Sequence, residues 1–110
     1  MFKVEYLPIF EKEAKKLLTL KELKYLELYI EKNLILNGDR IGKVLTYDFL
    51  REIKIGNKRI YYLIYKNLAL ILLVAISKNK KDQQIVIDYI KENIESYKLY
   101  AYNKYREFNL

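Results

Sequence analysis

The chain contains no cysteine and no histidine. Without cysteine there is no disulfide, no thiolate zinc site and no cysteine nucleophile. Without histidine there is no Ser–His–Asp or Cys–His triad, no imidazole metal ligand and no histidine acid/base pair. Any chemistry must come from Lys, Arg, Tyr, Asp, Glu or backbone groups. Long apolar runs are missing too. The longest uninterrupted one, Leu68–Ile76, is nine residues, whereas a helix needs about 20 to cross a bilayer. In residues 1–5 charges break up every short apolar stretch, so no signal-peptide shape is present. A cytoplasmic protein with no membrane role is the expectation.

What is present is a globular composition. The 110 residues suit one domain, and a chain of this size buries roughly 65% of its unfolded surface. Hydrophobic residues make up 52%, too many for a disordered segment. The net charge of +7 is unevenly spread. Residues 51–82 hold eight basic side chains (Arg51, Lys54, Lys58, Arg59, Lys66, Lys78, Lys80, Lys81) against two acidic ones, Glu52 and Asp82. The two flanking segments are close to balanced. A local basic surface favours a polyanionic partner, the phosphate backbone being the commonest. A solvated lysine-rich face that aids solubility has the same composition.

The hydrophobic pattern changes period along the chain. Residues 2–6 alternate, as in a short strand. Pro8 suits the first turn of a helix, and Ile9, Phe10, Ala14, Leu17 and Leu18 follow at helical spacing. Thr19 to Glu22 reads as a capping box that starts a second helix. Leu23, Leu26, Ile30 and Leu34 continue its stripe, and Asn37–Gly38 ends it. Residues 49–55, 59–65 and 68–76 read as three strands joined by turns at Gly56–Asn57 and Lys66–Asn67. The last of them is apolar on both faces. Lys78–Lys81 is an exposed basic loop, and Gln83 and Gln84 are helix-start residues and no more. Ile87, Ile90, Ile94, Tyr97, Ala101, Tyr105 and Phe108 form one long C-terminal helical stripe. The order β–αα–βββ–α gives a small single α+β domain, with an N-terminal helical hairpin and a C-terminal helix on one face of an antiparallel sheet.

Lys43–Val44–Leu45, Leu50–Ile55 and Lys58–Tyr62, followed by Leu72–Lys78 and Lys80–Gln84, resemble the RelE/ParE superfamily of toxins from toxin–antitoxin pairs, in its RelE/HigB-like branch. The opening Tyr6–Glu11 and Ala14–Leu17 are also similar. The resemblance covers roughly residues 2–92. It implies a RelE-like domain over residues 1–110, with 97–110 as a C-terminal extension. It further implies a ribosome-dependent endoribonuclease that cuts mRNA by attack of the RNA's own 2′-OH, needing neither metal nor cofactor. The implied partners are a cognate antitoxin, mRNA and the ribosome, with no homo-oligomer expected outside the toxin–antitoxin assembly. ParE-type members share the fold and inhibit DNA gyrase instead, and a catalytically degenerate member is the remaining alternative.

Carried over residue by residue, the resemblance implies that Lys54 positions or deprotonates the attacking hydroxyl. Arg59 would balance charge on the phosphate, and Lys81 would hold that phosphate. Lys54 and Arg59 can face one groove across their hairpin, although Arg59 could pair with Glu52 instead. Lys58, Lys78, Lys80 and Tyr61 are the further RNA-binding candidates; Tyr61, Tyr62 and Tyr65 equally suit packing between strands. Two positions depart from the family pattern. A family lysine falls on Glu52, and the family's C-terminal tyrosine falls on Ile87, leaving Tyr89 or a tail tyrosine as a substitute. With Lys54, Arg59 and Lys81 all outside the core, Arg59→Ala should remove activity and leave the fold intact.

Overall fold

The computed structural model describes residues 1–37 and 41–109. Its centre is a five-stranded sheet in the order β1-β5-β4-β3-β2. The strands are β1 (Lys3–Tyr6), β2 (Lys43–Val44), β3 (Leu50–Ile55), β4 (Lys58–Tyr65) and β5 (Leu68–Ile76). β3, β4 and β5 form the antiparallel meander that the turn signals imply, and β2, a two-residue strand not read from the sequence, adds antiparallel to β3. β1 departs from that pattern, because it pairs parallel with β5, Lys3 opposite Leu68 and Tyr6 opposite Ile71. The chain leaves that edge through the helices, which carry it to β2 at the opposite edge, and the meander then brings it back to β5 beside β1.

The N-terminal hairpin is α1 (Pro8–Leu17) and α2 (Leu20–Tyr29). Pro8 occupies the first turn of α1. The capping box forms as read: Glu22 N donates to Thr19 Oγ1 at 3.1 Å, and Thr19 N donates to Glu22 Oε1 at 2.9 Å. After Tyr29 the helix widens into a single π turn, Ile30–Leu34, and ends in the short α3 (Ile35–Asn37). The stop signal Asn37–Gly38 has its glycine outside the described residues. The C-terminal stripe is divided between α4 (Lys80–Glu92) and α5 (Ile94–Asn109). They meet at Asn93, whose side-chain Nδ2 donates to the Tyr89 carbonyl at 2.9 Å. No helix among the described residues is long and apolar enough to cross a membrane.

Helices cover both faces of the sheet, not one. Phe10, Ala14, Leu26, Ile30 and Leu34 pack on Ile53, Ile55, Ile60, Tyr62 and Ile71. On the opposite face Ile87, Ile90, Ile94, Tyr97 and Ala101 pack on Leu50, Tyr61, Leu63, Leu70 and Leu72. The physical reason is the apolar pattern of β5. A strand that is apolar on both faces needs cover on both. The tyrosines of α5 extend this packing, with Tyr102 and Tyr105 edge-on to Tyr65 at 6.3 and 5.4 Å between ring centroids.

At Gly42 the missing side chain decides the local structure. It has φ +77°, and a Cβ there would lie 2.8 Å from the Tyr62 hydroxyl. That hydroxyl donates to the Ile41 carbonyl at 2.8 Å and fixes the approach to β2. Gly42→Ala is expected to destabilise by at least about 1–2 kcal/mol from the left-handed backbone alone. Thermal unfolding of the variant checks this.

Candidate functional site

Strand register brings the basic and acidic candidates into two neighbouring rows. Lys43 lies opposite Glu52, and Glu52 opposite Tyr61. Lys54 lies opposite Arg59. Residues opposed across a ladder share a face, here the face that α4 and α5 cover. Glu52 is only 5% exposed. Its Oε1 lies 3.4 Å from Arg59 Nε, and its Oε2 accepts a short hydrogen bond from Gln83 Nε2. The acidic residue at the family's lysine position is therefore an internal counter-ion, and the alternative of an Arg59–Glu52 pair is realised. Gln83 does more than open a helix. Its bond to Glu52 docks the first turn of α4, with Lys80 and Lys81, against the edge that carries Lys54 and Arg59.

The Arg59–Glu52 contact is ionic and lacks hydrogen-bond geometry. Arg59 Nε and the Tyr61 hydroxyl are both buried donors without a hydrogen-bond partner. Burial, and then the charge of Glu52, pushes the Tyr61 phenol up to about 12, so it stays protonated at neutral pH. Among the described residues Glu52 is the acidic partner of Arg59, and no acidic side chain pairs with Lys54 or Lys81. Beside these groups lies a cleft of about 400 Å³ lined by Tyr29, Gly42, Lys43, Glu52, Ile53, Lys54 and Arg59. Lys43 was missed as a site residue from sequence. The available signal was its place directly before the strands, but only the register with Glu52 aims it at the cleft.

Two RNA-binding expectations are corrected. Alternation along β4 turns Lys58 to the face opposite Arg59. There its Nζ donates to Glu22 Oε1 at 2.8 Å and Oε2 at 3.1 Å, so it clamps the hairpin to the sheet. Tyr61 is 0% exposed within the second core and offers no ring face to a base. Lys78, Lys80 and Lys81 are exposed as expected, but Lys80 and Lys81 open α4, and of the Lys78–Lys81 stretch only Lys78 and Asn79 lie in the loop before it. The turn around them is capped from within, Asp82 N donating to Asn79 Oδ1 at 2.9 Å. Ile87 is buried in the core. Tyr89 is 53% exposed on α4 and does not line the cleft beside Lys54 and Arg59.

The Lys58 clamp makes stability sensitive to acid. The hydrogen bond from Lys58, and then that from the Thr19 backbone, hold the Glu22 carboxyl below its ordinary value. A lowered folded-state pKa contributes stability above the unfolded value of about 4.3, and that stability is lost as pH falls through the folded value. Glu22→Gln is expected to flatten the acid limb of a stability–pH curve, as read by denaturant midpoints from pH 7 downward.

No protein-family profile and no curated protein matches the chain. Solved structures do. A chain of the RelBE2 toxin–antitoxin complex from Mycobacterium tuberculosis superposes with a TM-score of 0.58 at 20% identity, over 68% of this chain and 96% of that one. The RelB–RelE complex from Methanococcus jannaschii gives 0.55 at 20% identity, over 77% and 96%. A mutant E. coli RelE bound to an antitoxin RelB peptide gives 0.60 at 12% identity, over 77% and 93%. The chain has the RelE fold. The resemblance read from residues 2–92 thus holds at the level of the fold, despite identities at which sequence comparison alone is silent. Nearly the whole RelE fold is represented, and roughly a quarter or more of this chain lies outside the matched part.

Proposed function

We propose that the chain is the toxin of a type II toxin–antitoxin pair and acts in the cytoplasm as a ribosome-dependent, metal-independent mRNA endoribonuclease. The observation that carries the reading is the cleft on a RelE fold lined by Lys43, Lys54 and Arg59, to which the Gln83–Glu52 bond ties the first turn of α4 with Lys80 and Lys81. One scissile phosphate would sit between them. The RNA 2′-hydroxyl, oriented by Lys54, loses its proton and forms a new O2′–P bond. The P–O5′ bond breaks, the departing oxygen takes up a proton, and the products are a 2′,3′-cyclic phosphate and a 5′-hydroxyl. Charge on the phosphate would be met by the Arg59 guanidinium, which the Glu52 carboxylate holds in place as a fixed donor array needing no rearrangement as charge builds. Lys81 and Lys80 would hold the phosphate from the α4 side, and Lys78 the neighbouring backbone. Residues 97–110 are assigned as an extension of the RelE-like domain that supports the second core.

The antitoxin is the second proposed partner. Ile9, Leu20, Tyr25 and Leu28 are exposed on the hairpin. A hollow of about 390 Å³ between α1 and α2 is lined by Leu7, Phe10, Ala14, Leu23, Leu26 and Ile30. It suits an amphipathic helix, and β1 is a free sheet edge. Primer extension on translated messages after induction tests the central reading. New 5′ ends should accompany growth arrest, and co-expression of the neighbouring small protein should relieve both. Arrest without new ends would remove the nuclease reading. Inhibition of DNA supercoiling would then support the gyrase reading.

A further inference from the structure

The cleft does not end at Lys54. Register pairing with β2 stops at Lys43 opposite Glu52, so the edge of β3 from Ile53 to Ile55 has no strand partner among the described residues. Alongside this open edge runs α2. A second hollow of about 310 Å³, lined by Lys21, Glu22, Tyr25, Lys54, Ile55 and Gly56, adjoins the first. Lys54 lines both. Lys54, on the open edge of β3, is the residue the two hollows share, and they line a trough along that edge with Tyr29 in one hollow and Tyr25 in the other. The rings are one helical turn apart, with centroids 6.3 Å apart and planes at 32°. Tyr25 is 53% exposed, so core packing does not explain its ring. The two carboxylates of the trough are already engaged, Glu22 by Lys58 and Glu52 by Arg59 and Gln83. Lys21, Lys43 and Lys54 remain for an anionic ligand, with Arg59 lining the first hollow beside them.

Two aromatic faces along a cation-lined trough match single-stranded RNA, whose bases stack on aromatic rings while lysines and arginines follow the backbone. We infer that Tyr25 and Tyr29 are the base-stacking residues of this site, each taking one nucleobase on either side of the phosphate held at Lys54. The inference rests on the nuclease reading and adds its recognition element. It also moves base stacking from the buried β4 tyrosines to the hairpin.

The test is single-turnover cleavage on ribosomes programmed with a short message of defined sequence. Each message is made intact or with an abasic nucleotide 5′ or 3′ of the cut. Wild type should cut an abasic message about tenfold or more slowly, the size of one lost stacking contact. Tyr25→Ala should cut the intact message with a similar deficit and show no further loss on one of the abasic messages. Tyr25→Phe should recover the wild-type rate. Tyr29→Leu, which keeps an apolar side chain against the core, should show the same non-additivity with the other abasic message. Losses that multiply, or a Tyr25→Ala protein that cuts as fast as wild type, would overturn the inference and leave the nuclease reading standing. Wild type that cuts neither message would overturn both.

Discussion

Arg59→Ala is expected to abolish message cleavage and also to loosen the fold. The first effect follows from the proposed chemistry, since one charge-stabilising donor is commonly worth about 10²–10³ in rate. The second corrects the expectation drawn from sequence. Arg59 is not a free surface cation, because its Nε faces a carboxylate whose side chain is only 5% exposed. Removing it strands Glu52 with Gln83 as its remaining donor. Breaking a buried pair from one side costs on the order of 3 kcal/mol, or about 10–20 °C in Tm for a domain this small. Two further variants separate the effects. Arg59→Lys keeps a charge near Glu52 and should regain most of the stability, yet it lacks the fork and should remain slow. Arg59→Ala combined with Glu52→Gln removes the stranded charge and should melt higher than Arg59→Ala while cutting no better. Thermal melts paired with single-turnover cleavage read both quantities. A fully active Arg59→Lys would show that the fork plays no part, and a single Arg59→Ala that melts like wild type would show that the Glu52 pair does not hold the edge.

This double role shows how far local pattern reaches in this chain. The capping box at Thr19, the turns at Gly56 and Lys66, the three meander strands and the C-terminal stripe all rest on contacts between near neighbours in sequence, and each was legible. The parallel pairing of β1 with β5 joins residues more than 60 positions apart, and alternation within residues 2–6 carries no information about direction. The two-sided cover of the sheet was available in principle. The apolar run Leu68–Ile76 already demanded apolar neighbours above and below it.

The site divides in the same way. Alternation on β3 and β4 places Lys54 and Arg59 together, because their hairpin fixes its own register. It also turns Lys58 away, a consequence of the same period that was not drawn from the sequence. Burial is less legible than direction. Tyr61 shares the face of Arg59, but whether its ring meets a base or a helix depends on where α4 and α5 dock. Glu52 reads as an anomaly among basic residues until Gln83, 31 positions away, is seen to donate to it. Lys43 and Tyr29 enter the site from elements whose approach is set by Gly42 and by the hairpin, so neither stands out in a linear reading.

Docking of α4 and α5 is the feature on which both core and site depend, and a pair of substitutions on one helix measures it. Ile90 is 0% exposed against the second face of the sheet, while Ile85, on the same helix, is 62% exposed. Ile90→Asp removes a fully packed side chain, which for truncation alone costs about 2–5 kcal/mol. It also brings a carboxyl into a site with no counter-charge among its apolar neighbours. The sum approaches the whole stability of a typical small domain, about 5–15 kcal/mol, so the variant should melt at least about 20 °C lower or be unfolded at ambient temperature. Ile85→Asp makes the same chemical change on the solvent side and should shift the melting temperature by no more than a few degrees. Intrinsic helix propensity changes equally in the two variants, and the helix dipole disfavours the carboxylate at position 90 by no more than about 1 kcal/mol, so burial dominates the difference. The loss at Ile90 should also release the Gln83–Glu52 bond that ties α4 to the cleft. In a population of Ile90→Asp kept folded at low temperature, cleavage should therefore fall further than the folded fraction alone accounts for. Equal melting of the two variants would mean that α4 is not held against the sheet, and the Gln83–Glu52 tie would then not fix Lys80 and Lys81 near the cleft.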